Sequence, residues 1–177
     1  MKRLILVCVL LLASCTEPGA KNSAISEFAH CSTLKVRGMS ADGLFLPCLE
    51  SEGEIALGSI EGPAVISVWA SWCANCESQR PFLIRLYQNA KEKIQVVGVD
   101  VEEKSKDEGF KHALNNGMSY PQLYDPDGRT SKVFGPGVPI TQFINSNGVL
   151  AFVQVGPLKS YKELQGLVRK YLNIEVK

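Results

Sequence analysis

Two cysteines three residues apart, Cys73-Ala74-Asn75-Cys76, stand between a β-prone apolar run and a segment of helical periodicity. At that spacing the sulfurs can close a disulfide without moving the backbone, and the first thiol falls at a helix N-terminus. Unpaired N–H groups and the helix dipole favour an anion there, which draws a cysteine pKa below its free value of about 8.5. Cys73 is therefore the expected attacking thiolate, and Cys76, one turn further in, the expected resolving thiol. An inert staple and half of a zinc site are the competing readings of such a pair. Zinc takes four ligands, whereas Cys31 and Cys48 lie seventeen apart rather than as a second close pair, and neither His30 nor His112 has a metal-binding spacing. The expectation is redox chemistry with no metal and no cofactor.

The surrounding elements can position those sulfurs. Ala64 to Ala70 is a continuous β-prone run, as in a strand buried on both faces. The helix predicted over Cys73 to Ala90 carries one apolar stripe, Phe82, Leu83, Leu86, Tyr87 and Ala90, with Pro81 inside it predicting a kink. A second buried strand is expected at Ile94 to Asp100. A surface helix from Ser105 to Asn116 is closed by Gly117. A short strand from Tyr120 to Tyr124 ends in the turn Asp125-Pro126-Asp127-Gly128. Strands at 140–144 and 149–155 flank Asn145-Ser146-Asn147-Gly148, a hairpin signal. Ser160 with Glu163 forms a capping box for a final helix whose apolar face is Tyr161, Leu164, Leu167, Val168, Tyr171 and Leu172. This order predicts an α/β fold, a central mixed sheet with helices on both faces. An irregular N-terminal extension with one or two short strands, from about Cys31 to Ile60, precedes it.

The chain has 177 residues, 45% hydrophobic and 21% charged, with net charge +1. That suffices for one domain with a core and argues against a nucleic-acid surface. Six cysteines exceed what a cytosolic protein of this size usually keeps. Lys2 and Arg3 precede an apolar run from Leu4 to Ala13. Ten helical residues reach about 15 Å, half a hydrocarbon core, so the run reads as the h-region of a leader. Leu12-Ala13-Ser14-Cys15 resembles the lipobox of bacterial lipoproteins. The expected organisation is therefore a signal peptide over 1–14, a tether over 15–30 beginning with lipidated Cys15, and a domain over 31–177. The expected location is the extracytoplasmic face of the cell membrane, reached by a lipid anchor. Cys8 leaves with the leader and Cys15 carries lipid. Four cysteines remain, and an even number outside the cytoplasm reads as two disulfides. A Cys31–Cys48 bridge would close about 18 residues of a glycine-rich lobe, worth roughly 3 kcal/mol. The alternative is a relay passing electrons to Cys73 and Cys76.

Val65-Ile-Ser-Val-Trp-Ala-Ser-Trp-Cys-Ala-Asn-Cys76, then Pro81, and Gly137-Val138-Pro139-Ile140-Thr141 before the hairpin resemble thioredoxin-fold proteins. The closer resemblance, over roughly residues 45–175, is to the TlpA/ResA/DsbE branch of extracytoplasmic thiol–disulfide oxidoreductases. It implies a thioredoxin-like fold and a cis Pro139 facing the cysteines. It also implies that Val138 offers backbone groups to an extended substrate, and that Trp72 forms a hydrophobic wall. The implied partners are exported protein thiols and disulfides, apo-cytochrome c among them, and a membrane redox partner. This chain departs from the pattern in three places. Ser67 stands where relatives carry an Asp or Asn, Gln79 stands where ResA-like members carry a Glu, and Ala74-Asn75 replaces the familiar dipeptides. Neither Ser67 nor Gln79 can ionise, so no acid/base for Cys76 is identified, and Glu77 is expected to face solvent. The alternatives are a Dsb-like oxidant of exported proteins and a non-catalytic module that binds copper or a client.

Overall fold

The computed structural model describes residues 28–38 and 43–177. The leader, the lipidation position Cys15 and most of the tether lie outside these residues. Five strands, β3 (Ala64–Trp69), β4 (Gln95–Val101), β5 (Gln122–Asp125), β6 (Ile140–Ile144) and β7 (Leu150–Val155), form one mixed sheet in the order β5-β4-β3-β6-β7. The remaining two, β1 (Phe45–Pro47) and β2 (Glu54–Ala56), form an antiparallel hairpin in the N-terminal lobe. Every residue of β3 is buried. An uninterrupted β-branched run meets that condition only in mid-sheet with both faces covered. Strand β3 runs parallel to β4, with Trp69 opposite Asp100, and antiparallel to β6, with Val68 opposite Ile140.

Helix α1 (Ala74–Ala90) follows β3 directly, starting one residue after Cys73 and continuing through Pro81. It leads to β4, after which α2 (Lys106–Asn115) leads to β5. Two right-handed crossovers stepping in the same direction place both helices on one face of the sheet. His112 of α2 accordingly stacks on Trp69, ring centroids 5.5 Å apart. The last helix, α4 (Tyr161–Leu172), joins α1 on this face, with the Arg85 guanidinium 4.1 Å from the Tyr161 ring centre. On the other face, the short α3 (Ser131–Phe134) meets Val68 and Val101, and Leu57 and Ile60 of the lobe meet Ile66. Helices thus flank both faces.

The local signals mostly map onto the expected elements. Ser160 accepts from the Glu163 N–H at 3.1 Å, while the Glu163 carboxylate takes the Lys159 N–H rather than that of Ser160. Strand β5 begins two residues later than expected, leaving Tyr120 buried ahead of it. The lobe docks on the β5 edge: Cys48 pairs with Leu123, and the Leu49 N–H donates to the Gln122 carbonyl at 2.9 Å. An edge covered in this way cannot recruit foreign strands. Among the described residues no helix is long and apolar enough to cross a membrane.

Phe143 of β6 is fully buried, 6.0 Å from the Phe152 ring, between the sheet and the α1–α4 layer. Phe143→Ala is expected to cost about 3–5 kcal/mol, or roughly 6–20 °C in melting temperature for a chain of this size. Thermal unfolding followed by circular dichroism measures it, and a shift of a degree or two would contradict the central placement of this ring.

Candidate active site

Cys73 is 7% exposed and Cys76 6%, and a disulfide joins them with their Cα atoms 5.3 Å apart. The Cys76 backbone N–H donates to the Cys73 sulfur at 3.1 Å. The same N–H donates to the Cys73 carbonyl at 3.0 Å, so a helix-start donor is shared between that oxygen and the sulfur that becomes negative on reduction. Trp72, in contrast, is 58% exposed, its indole N–H 3.4 Å from the Glu102 carbonyl. Trp72, Val138, Gly137, Phe134 and Val68 line a cleft of about 50 Å³. The Val138–Pro139 peptide is cis, and the Pro139 carbonyl accepts from the Gly156 N–H at 3.0 Å. Because Ile140 is opposite Val68, Pro139 lies at the same end of the sheet as Cys73. The fold therefore gathers Trp72, Cys73, Cys76, Val138 and Pro139 at one end of the sheet.

The two positions that lack acids contact each other. The Gln79 amide donates to the Ser67 hydroxyl at 3.1 Å, and its oxygen accepts from the Leu158 N–H at 3.0 Å. This neutral side chain ties β3, α1 and the approach to α4 together. Cys76 borders a small cavity of about 10 Å³ shared with Arg80, His112 and Tyr120, close to the least space that holds a water. The Tyr120 hydroxyl is buried there without a hydrogen-bond partner. Arg80 approaches the His112 Nε2 at 3.5 Å. Burial first, and the Arg80 charge second, pull the His112 pKa down, leaving the ring neutral at pH 7. Glu77 is exposed.

A pair of carboxyl groups, Asp100 and Glu103, escaped the sequence reading. Asp100, at the end of β4, is fully buried and neither of its oxygens has a hydrogen-bond partner. Glu103, also buried, accepts from the Ser71 N–H and from the Ser71 hydroxyl, the latter at 2.9 Å. Glu103 thus fastens the turn that delivers Trp72 and Cys73. Burial pushes Asp100 up to about 9, helped by the Glu103 charge and by the hydrogen bond a protonated Asp100 can give Glu103. Asp100 is consequently protonated at neutral pH. Gly109 of α2 leaves the space, since a Cβ there would overlap the Asp100 carboxyl group. The available signal was an acid closing the apolar run Ile94–Asp100.

Cys31 and Cys48 are also joined, with Cα atoms 5.7 Å apart and both residues buried. Replacing both with serine is expected to lower the melting temperature by about 6–12 °C, from about 3 kcal/mol of lost chain constraint. Disulfide-exchange turnover should persist. Complete loss of turnover in a folded double variant would instead establish an electron relay.

A buried strand delivering a Cys-x-x-Cys pair to a helix start, opposite a strand headed by a cis proline, is the arrangement of the thioredoxin fold. The AhpC/TSA family model matches residues 38–153, and the chain belongs to that family. It is 27% identical over 123 residues to the thiol:disulfide interchange protein DsbE of Allochromatium vinosum, covering 67% of this chain and 65% of that protein. The chain thus spans slightly less than two thirds of that relative's length. It is 26% identical over 137 residues to the thiol-disulfide oxidoreductase ResA of Bacillus thuringiensis, covering 75% of this chain and 77% of that one. A DsbF homologue from Corynebacterium diphtheriae shares the fold, with a TM-score of 0.64 at 23% identity over 88% of this chain and 96% of that one.

Proposed function

We propose that this chain is an extracytoplasmic thiol–disulfide oxidoreductase that exchanges disulfides with exported proteins through Cys73 and Cys76. The carrying observation is the Cys76 N–H directed at the Cys73 sulfur, beside the open cleft of Trp72 and Val138. The interchange and oxidoreductase names of the two relatives support the same reaction class. In the reductive direction the Cys73 thiolate attacks one sulfur of a substrate disulfide, breaking that bond and releasing the other sulfur as a thiolate that takes a proton. Cys76 then gives up its proton and attacks the Cys73 sulfur. The substrate leaves as a dithiol, and the Cys73–Cys76 disulfide retains the two-electron oxidation. Arg80, across the small cavity from Cys76, favours the second thiolate electrostatically where relatives would use an acid/base. Pro139 and Val138 present the strand end to an extended substrate segment.

The finer reading follows from the family resemblance. After removal of residues 1–14, lipid on Cys15 tethers the domain at the membrane through residues 15–30. A membrane thiol donor re-reduces the Cys73–Cys76 pair, and apo-cytochrome c is among the substrates. The reductive direction is favoured because Ala74-Asn75 lacks the histidine of strong oxidants. A redox titration of Cys73–Cys76 against dithiothreitol tests it. A potential near −270 mV is expected for a reductant, and one near −120 mV would replace that reading with an oxidant of exported proteins. Absence of any turnover on a model disulfide would leave only a binding module.

A further inference from the structure

We propose that the Cys31–Cys48 pair, once opened by an external dithiol, forms a four-coordinate zinc site with His30 and Glu50. Ligand atoms of His30, Cys31 and Glu50 already lie within 4.8 Å of one another. The Glu50 side chain is 7% exposed, and its two oxygens are in unequal positions. One accepts from the Cys31 N–H at 2.7 Å and from the Ser51 hydroxyl at 3.1 Å. The other, Oε2, is buried and accepts from nothing. An unpaired buried oxygen of this kind is costly, and a cation bound to the carboxylate removes the cost. The His30 Nδ1 lies 3.9 Å from the first Glu50 oxygen. It is held by the exposed Ser32, through its hydroxyl at 2.7 Å and its N–H at 3.2 Å, and water can take over both contacts. Cys48, bonded to the Cys31 sulfur, supplies the second thiolate, and its backbone is set by the Gly53 carbonyl at 2.9 Å.

Two thiolates, an imidazole and a carboxylate are a donor set that suits zinc. Zinc bonds of about 2.0–2.3 Å place tetrahedral ligand atoms roughly 3.3–3.8 Å apart, so the His30, Cys31 and Glu50 atoms need to close by about 1 Å, and the Cys48 sulfur, outside that group of three, must turn in once its bond to Cys31 opens. The separation of Cys31 and Cys48 along the chain hid the site, because its ligands come from two loops that meet only in the folded lobe.

The thiolate, not the disulfide, is the metal ligand, so the site is gated by oxidation state. The dithiol donates two electrons and two protons: the Cys31–Cys48 bond breaks, two S–H bonds form, and the dithiol becomes its own disulfide. Zinc then replaces the two thiol protons, which go to solvent, and two Zn–S bonds form. The lobe is held by a disulfide when oxidised and by a metal when reduced.

The test uses the full chain carrying Cys73→Ser and Cys76→Ser, so that neither binding nor its failure depends on the active-site thiols. After reduction with a phosphine and removal of the reductant without oxygen, equilibrium dialysis against Zn²⁺ with elemental analysis should find one zinc per chain. The oxidised protein should retain none. Co²⁺ in place of zinc should give the thiolate charge-transfer absorption of a tetrahedral site. Glu50→Gln, which keeps both sulfurs, should weaken zinc binding at least roughly 10- to 100-fold, the loss usual even for supporting groups around a metal. The proposal fails if the reduced protein retains no more zinc than the same chain with Cys31→Ser and Cys48→Ser. It also fails if the oxidised form retains as much, or if Glu50→Gln binds zinc undiminished.

Discussion

Cys76→Ala is expected to turn the protein from a catalyst into a trap. Cys73 still attacks a substrate disulfide, but no thiol is left to resolve the adduct, so a mixed disulfide accumulates. It should appear as a higher-mass band on a non-reducing gel and vanish with dithiothreitol. Cys73→Ser should reduce turnover to the uncatalysed background, the largest effect of any single substitution. The structural cause is the N–H of Cys76 aimed at the Cys73 sulfur at the mouth of α1. The reactivity gain is bounded by opposing terms. A thiol at a helix start is more ionised at neutral pH than a free one, and its lower basicity gives part of that gain back. Alkylation of the reduced protein at pH 7 should therefore modify Cys73 a few times faster than a peptide thiol. Equal rates, or full turnover in Cys73→Ser, would end the enzymatic reading.

The largest expected effect on stability belongs to Asp100→Asn, and it depends on pH. Asp100 sits near 3.8 in the unfolded chain and is pushed up to about 9 in the folded one, by burial first and by Glu103 second. The folded state therefore binds the proton more tightly. Its contribution is fully present below about pH 4 and is lost progressively as pH rises towards 9, at up to about 1.4 kcal/mol per pH unit. By pH 7 the wild type has given up about 4 kcal/mol relative to acid. The asparagine variant has no such proton to lose, and its amide can donate to Glu103. Its stability advantage should grow from nothing near pH 4 to several kcal/mol near pH 8, read from urea unfolding at a series of pH values. A difference between variant and wild type that stays constant across that range would show that Asp100 is ionised in the folded protein. The same experiment bears on the site, because Glu103 holds Ser71 two residues before Cys73.

These two results differ in how far they could be foreseen. The Cys73–Cys76 pair and its place at a strand–helix junction were legible from local pattern alone. A β-branched run, two cysteines and an apolar stripe occupy adjacent stretches of chain, and the strand–helix junction follows from their order. The Ser160 cap and the hairpin at Asn145–Gly148 were legible for the same reason, since each is a contact within four residues. The roles of Ser67 and Gln79 were visible only as absences. That the two side chains bond to each other depends on α1 lying across β3. Asp100 read as the last residue of a strand, and the register that buries it opposite Trp69 is a property of the assembled sheet.

The order and type of the elements, the close Cys73–Cys76 pair and the helix start beside it follow from the amino-acid sequence by itself, because periodicity, capping and short-range geometry act over a few residues. Tertiary structure alone decided which charges and donors surround that pair. Arg80 and His112 meet at the Cys76 cavity, Glu103 grips the Ser71 turn, and Glu50 lies under Cys31, across separations of about twenty to thirty residues. Burial and electrostatic coupling depend on distance through space, and the packing of helices and loops on the sheet sets that distance.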